Sequence, residues 1–151
     1  MMRVLTQFSL FLASKPGMLA SICRELGKAK INIEALTMMD AQEHGVLRLI
    51  VSDPAEARPV LRHLSIPLTE TEVLAVPMSN RPGAVADVLE KLSDHHVGVS
   101  YVYCTTGAPG GKTVGVFKVG DVKKAMKVID AKRNSSRDMK IKLRPPRMAR
   151  R

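Results

Sequence analysis

The chain has 151 residues, 45% of them apolar, and no run approaches the roughly 18 to 20 apolar residues of a membrane-spanning helix. Its net charge of +10 is concentrated at one end: residues 130–151 hold nine Lys and Arg against two Asp, while the rest hold 15 basic and 12 acidic groups. A nearly balanced body argues against a dedicated nucleic-acid surface, and the excess belongs to a basic tail ending RPPRMARR.

The first predicted element is a strand over about residues 3 to 12, where Phe8, Leu10 and Leu12 alternate with Gln7 and Ser9. The same stretch, interrupted by Gln7, Ser9 and Lys15, reads as a strand and not as a signal peptide. Ser14-Lys15-Pro16-Gly17 then opens a helix that runs to about Lys28. INIEALTMMD and GVLRLIVSD are two strands meeting in a hairpin at Glu43-His44-Gly45. PAEARPVLRHL places proline at a permitted first-turn position and reads as a second helix, which Pro59 strains or kinks. TETEVLAVPM closes this unit and leads straight into the next. There the pattern predicts a helix over 83–94, strands over 97–104 and 113–119, a helix over 121–131 and a last short strand at MKIKL.

The second half repeats the first. Gly17 and Gly83 are 66 positions apart, and the same step carries Leu19, Ile22, Cys23 and Leu26 onto Val85, Val88, Leu89 and Leu92. This spacing marks one buried helix face in each copy. The expected fold is α+β: two ferredoxin-like βαββαβ units, over 1–71 and 72–143, packed as a pseudo-symmetric pair and followed by a tail over 144–151. Each unit alone buries only about 60% of the surface of its unfolded chain, so it needs its neighbour. Cys23 aligns with Leu89 and Cys104 with Met38, so both thiols read as small core hydrophobes of a reduced, cytoplasmic protein, with no metal-ligand spacing.

FSLFLASKPGMLASICRELGKAKINIEALTMMD with GVLRLIVSDP, then TETEVLAVPMSNRPGAVADVLEKL and VSYVY, resembles the tandem ACT domain proteins over residues 3 to about 143. The most specific parts are the apolar strand, the x-[KR]-P-G-x-[LV] helix opening and the following N-I. The resemblance implies a regulatory module that binds an amino acid or related small carboxylate between two ACT units and passes the event to a partner. It also implies a homodimer, no cofactor and, with no enzyme attached here, no catalysis of its own. An alternative role is a regulatory subunit docking on an amino-acid biosynthetic enzyme such as acetolactate synthase.

The residues themselves support a ligand site. Ser14 and Asn80 are placed to cap the two helices by accepting from the N–H of Gly17 and Gly83. The first-turn N–H groups of Gly17, Met18 and Leu19, and of Gly83, Ala84 and Val85, form a seat for a carboxylate, with Lys15 and Arg81 adding positive charge. Asn32, ahead of Ile33, offers an amide to a zwitterion, whereas the second copy has Gly98-Val99 in its place. Tyr101 and Tyr103 face one side of their strand and are placed to line the pocket, a dimer contact or the core. The expected arrangement has one unit's helix-opening loop facing the other's second strand.

Rival chemistries lack their parts. TGAPGGKT resembles a phosphate-binding loop, but Thr106 stands at its first glycine position and a strand follows where a helix is required. His95 and His96 are adjacent and point apart, which gives no metal chelate. A base-stacking sheet needs aromatic residues where Val114 and Val116 stand.

Overall fold

The computed structural model describes residues 1–13, 15–40, 44–105 and 111–131. In chain order they form β1 (Arg3–Ala13), α1 (Met18–Lys28), β2 (Ile33–Met39), β3 (His44–Val51), α2 (Pro54–His63), β4 (Leu68–Ser79), α3 (Ala84–Asp94), β5 (Val99–Thr105) and β6 (Lys112–Val119). A final helix, α4, covers 122–131. The strand expected at MKIKL lies outside the described residues, and so does Ser14. No helix among the described residues is long and apolar enough to cross a membrane.

The strands among the described residues are all antiparallel, in a six-stranded sheet of order β2-β3-β1-β4-β6-β5. That order maps onto itself when the two copies are exchanged. Phe8 pairs with Leu49 as Leu74 pairs with Phe117, and Leu36 pairs with Leu49 as Val102 pairs with Phe117. The pseudo-twofold axis passes through the Thr6–Glu72 pair, with Arg3–Ala75 and Ser9–Thr69 as images of each other. The long central strands, β1 with 11 residues and β4 with 12, serve both halves. The first part of β4 pairs with β1 and its last part with β6.

Helices cover one face of the sheet. Phe8, Leu10, Leu12, Leu47 and Leu49 pack with Ile22 and Leu26 of α1 and Ala57 and Leu61 of α2. Leu74, Val76 and Phe117 pack in the same way with Val88 and Leu92 of α3 and Ala125 and Ile129 of α4. The opposite face is buried too, as a third core of Ala35, Ile50, Val73 and Val116. Ala35 and Ile50 come from β2 and β3 at one end of the sheet order, Val73 from central β4 and Val116 from β6 near the other end. In a flat sheet β3 and β5 stand roughly 19 Å apart, four spacings of about 4.8 Å. Yet the Arg48 guanidinium carbon on β3 lies 4.0 Å from the centre of the Tyr101 ring on β5. The sheet therefore curls strongly, in the sense its twist permits, until the inner faces of its two halves meet.

Three expectations are corrected. The N-cap position of α1 is Gly17 (φ 85°) and that of α3 is Gly83 (φ 82°), the latter in place of Asn80, and a glycine has no side chain with which to cap. The cause is the Pro-Gly turn. Lys15 C=O accepts from Met18 N–H (3.4 Å) and Arg81 C=O from Ala84 N–H (3.3 Å), which puts glycine at the turn position that requires positive φ. Cys104, on edge strand β5, is exposed, and Cys23, on α1 beside the buried Ile22, is only half-buried. Gln7 and Ser9, the polar members of the β1 alternation, are buried, because the second face of β1 meets the other half of the curled sheet.

Candidate functional site

The inner face is where the two halves meet, and a β-bulge at equivalent points of each copy shapes it. Pairing shifts between Ile33 and Ala35 on β2 and between Val99 and Tyr101 on β5. The extra residue re-aims the strand. Ile33 and Val99 pack toward the helices, while Ala35, Tyr101 and Tyr103 turn to the inner face.

There the tyrosines meet Gln7. The Gln7 amide donates to Tyr101 Oη (2.6 Å) and Ser9 Oγ (3.3 Å), and Tyr103 Oη–H donates to Gln7 Oε1 (2.8 Å). Burial pushes the Tyr103 phenol well above its ordinary pKa; nearby Tyr101 adds to the shift and Arg48 opposes it. Arg48 covers the Tyr101 ring, and its Nη1 lies 2.8 Å from Met39 Sδ. Sequence reasoning missed Gln7, Ser9 and Arg48. The available signal was two polar residues alternating on a strand that two units share.

A pocket of about 70 Å³ opens on the same face, floored by Leu5, Ile50, Ala75 and Val116 and bounded by Ala35, Val114 and Thr105. At its mouth stand Arg3 and Glu34, whose charged groups are 3.9 Å apart. All six strands contribute to it. Its walls suit a small apolar group, and its mouth presents one charge of each sign.

The other expected site residues are not gathered here. Gly17 and Asn32 lie at opposite ends of α1, whose 11 residues span roughly 16 Å. β3 and β1 lie between β2, which Asn32 precedes, and β4, which leads to Gly83. Asn32 is exposed; its N–H donates to Ser52 Oγ (3.1 Å) and its carbonyl accepts from Ser52 N–H (2.9 Å). Gly98 C=O accepts from Gly120 N–H (3.0 Å) at the equivalent point. Lys15 is exposed, whereas Arg81 is engaged by Asp87 and by Pro82 C=O. Met18, Leu19, Ala84 and Val85 form the first turns of α1 and α3. The N–H groups of Met18 and Ala84 are already bonded within the Pro-Gly turns.

Comparison with known proteins gives a consistent result. No curated protein matches the chain. The structure is similar to that of protein BT0572 from Bacteroides thetaiotaomicron, at 32% identity and a TM-score of 0.81, covering 87% of this chain and 90% of that one. It shares its fold with the aspartate kinase regulatory subunits of Thermus thermophilus and Thermus flavus. The first has 11% identity and a TM-score of 0.64, the second 12% and 0.57, each covering 86% of this chain and 95% of the other. The family model described as an ACT domain pair matches residues 2–140. With the repeat, the curled six-stranded sheet and this match together, the chain belongs to the ACT domain pair family.

Proposed function

We propose that this ACT domain pair is a regulatory module without catalytic activity that holds an amino acid between its two units. The observation that carries the reading is the pocket between Arg3 and Glu34. A zwitterion offers a carboxylate to the guanidinium and an ammonium to the carboxylate, and the small apolar cavity beneath accepts an aliphatic side chain. The rival seat is the pair of Pro-Gly turns, with Lys15 and Asn80 beside them in sequence and Asn32 and Gly98 just ahead of β2 and β5. The fixed Arg81–Asp87 contact weighs against it. A thermal-shift screen of the twenty amino acids tests the proposal. At about 100 times its dissociation constant a ligand adds roughly 2.7 kcal/mol, a midpoint rise of about 5 to 10 °C for a chain of this size. If no amino acid moves the midpoint by more than about one degree, against the several degrees that such occupancy implies, the reading fails.

A second reading, in which the output is contact with another chain, is favoured by edge strand β2. It exposes Leu36 (41%), Met38 (42%) and Met39 (52%). Such an edge suits a second copy or a metabolic enzyme partner. The aspartate kinase regulatory subunits with this fold are one example of a partner-bound role. Sedimentation across a concentration series distinguishes self-association from a monomer awaiting a different partner.

A further inference from the structure

The polar cluster on the inner face has more donor protons than the hydrogen bonds it forms. The Gln7 amide carries two N–H protons and the hydroxyls of Ser9, Tyr101 and Tyr103 one each. Only three hydrogen bonds join these four side chains. Each uses one proton whichever way the amide is turned, so two protons have no acceptor among the described residues. With Gln7 Nε2 donating to Ser9 and Tyr101, those two are the hydroxyl protons of Ser9 and Tyr101.

Both hydroxyl groups belong to neighbours of Arg48. Ser9 and Arg48 face each other across β1 and β3, and Tyr101 lies under the guanidinium. Arg48 itself is short of acceptors. Its Nε is buried with no hydrogen-bond partner, and its Nη1 meets the Met39 thioether, a weak acceptor. No carboxylate among the described residues forms an ion pair with it. A half-buried guanidinium without counter-charge is costly to keep. Lys118, opposite Tyr101 on β6, adds a second cation on the same face.

We propose that Arg48, Ser9 and Tyr101 form a carboxylate seat distinct from the pocket at Arg3 and Glu34, which none of them lines. Tyr101 covers a face of the guanidinium, Nε is buried and Nη1 meets Met39, so the approach is at Nη2. Displacing the weak thioether acceptor lets a planar carboxylate accept two parallel N–H bonds from Nη1 and Nη2. The two surplus hydroxyl protons complete its coordination. Since Ser9 and Arg48 come from the first copy and Tyr101 from the second, an occupant ties the two halves together.

The chain has two Tyr and no Trp, and both Tyr lie in this cluster, so tyrosine fluorescence reports on it alone. Sodium acetate and sodium glutamate are titrated into the full chain, with sodium chloride adjusted to hold ionic strength constant. A saturable change in tyrosine emission is expected. It should weaken at least about tenfold in Arg48→Gln, which removes a charge-assisted bond. Arg48→Lys, which keeps the charge and loses the planar fork, should weaken it as well. Ser9→Ala, a smaller change, keeps the test open where an Arg48 variant does not fold. Arg3→Gln, which damages the other pocket, should leave this response intact even where it abolishes the amino-acid effect. The proposal is overturned if neither carboxylate gives a saturable change in the wild-type protein, if Arg48→Gln responds like it, or if inorganic phosphate saturates the signal where carboxylates do not.

Discussion

Gln7 is fully buried, and its amide joins three hydroxyl groups from both halves of the molecule. Its replacement therefore removes bonds from partners that stay buried, which costs more than the bonds themselves contribute. Gln7→Ala should destabilise the fold by about 2 to 4 kcal/mol, read as a lower urea midpoint. An unchanged midpoint would mean that the cluster is wetter than its burial indicates. Tyr103 provides a pH signature. Its folded-state pKa is raised by burial, so the folded protein holds the phenol proton more tightly than the unfolded chain. The stability this confers is complete below the ordinary phenol pKa of about 10 and is lost as pH rises above it. The wild-type protein should lose stability faster than Tyr103→Phe over that range, in urea titrations at stepped pH. Equal slopes would place the phenol in water.

At the scale of elements, the helices start in two different ways, and each copy repeats both. The Pro-Gly turns open α1 and α3 with glycine at positive φ; a Cβ at Gly17 would meet nothing within 4 Å, so the constraint there is conformational and not steric. Gly17→Ala should cost about 1 to 2 kcal/mol without disturbing the core. Asp53 caps α2 by accepting from Glu56 N–H (3.0 Å), and Asp121 caps α4 by accepting from Lys124 N–H (2.9 Å). Asp53→Ala should cost about 1 kcal/mol. Equilibrium unfolding of the two variants checks both values. Loss at Gly17→Ala much beyond a few kcal/mol would point to packing that the open surroundings do not show. These elements were legible because they depend on local signals. Alternation, the Pro-Gly pair, apolar spacing and first-turn proline fixed the strands and helices to within a residue or two, and α2 runs on through Pro59. The bulges were not legible. One extra residue before Tyr101 leaves no compositional trace, yet it decides which core that side chain enters.

At the scale of the whole molecule, the repeat announced two copies but not how they share a sheet. Strand order depends on which long-range pairs form, and β4 reads the same in sequence whether it ends one unit or joins two. The curl of the sheet is further removed from local signals, because it follows from accumulated twist and from packing of the inner faces. For this reason the sequence directed attention to the helix-opening turns, Lys15 and Asn32. Arg48 and Glu34, one on each strand of the first hairpin, gain meaning only when β5 and β6 fold over them. The curl also explains how a ligand would act. A molecule bound between the halves resists their relative motion, and that restraint is what a partner can read. Titration calorimetry with the amino acid that best raises the melting midpoint tests this claim most directly, on the wild-type chain, Arg3→Gln and Lys15→Ala. Binding should weaken at least about tenfold in Arg3→Gln, which loses a charge-assisted contact, and stay unchanged in Lys15→Ala. The reverse pattern, with Lys15→Ala losing affinity and Arg3→Gln binding as the wild type does, would place the ligand at the turns and contradict the account.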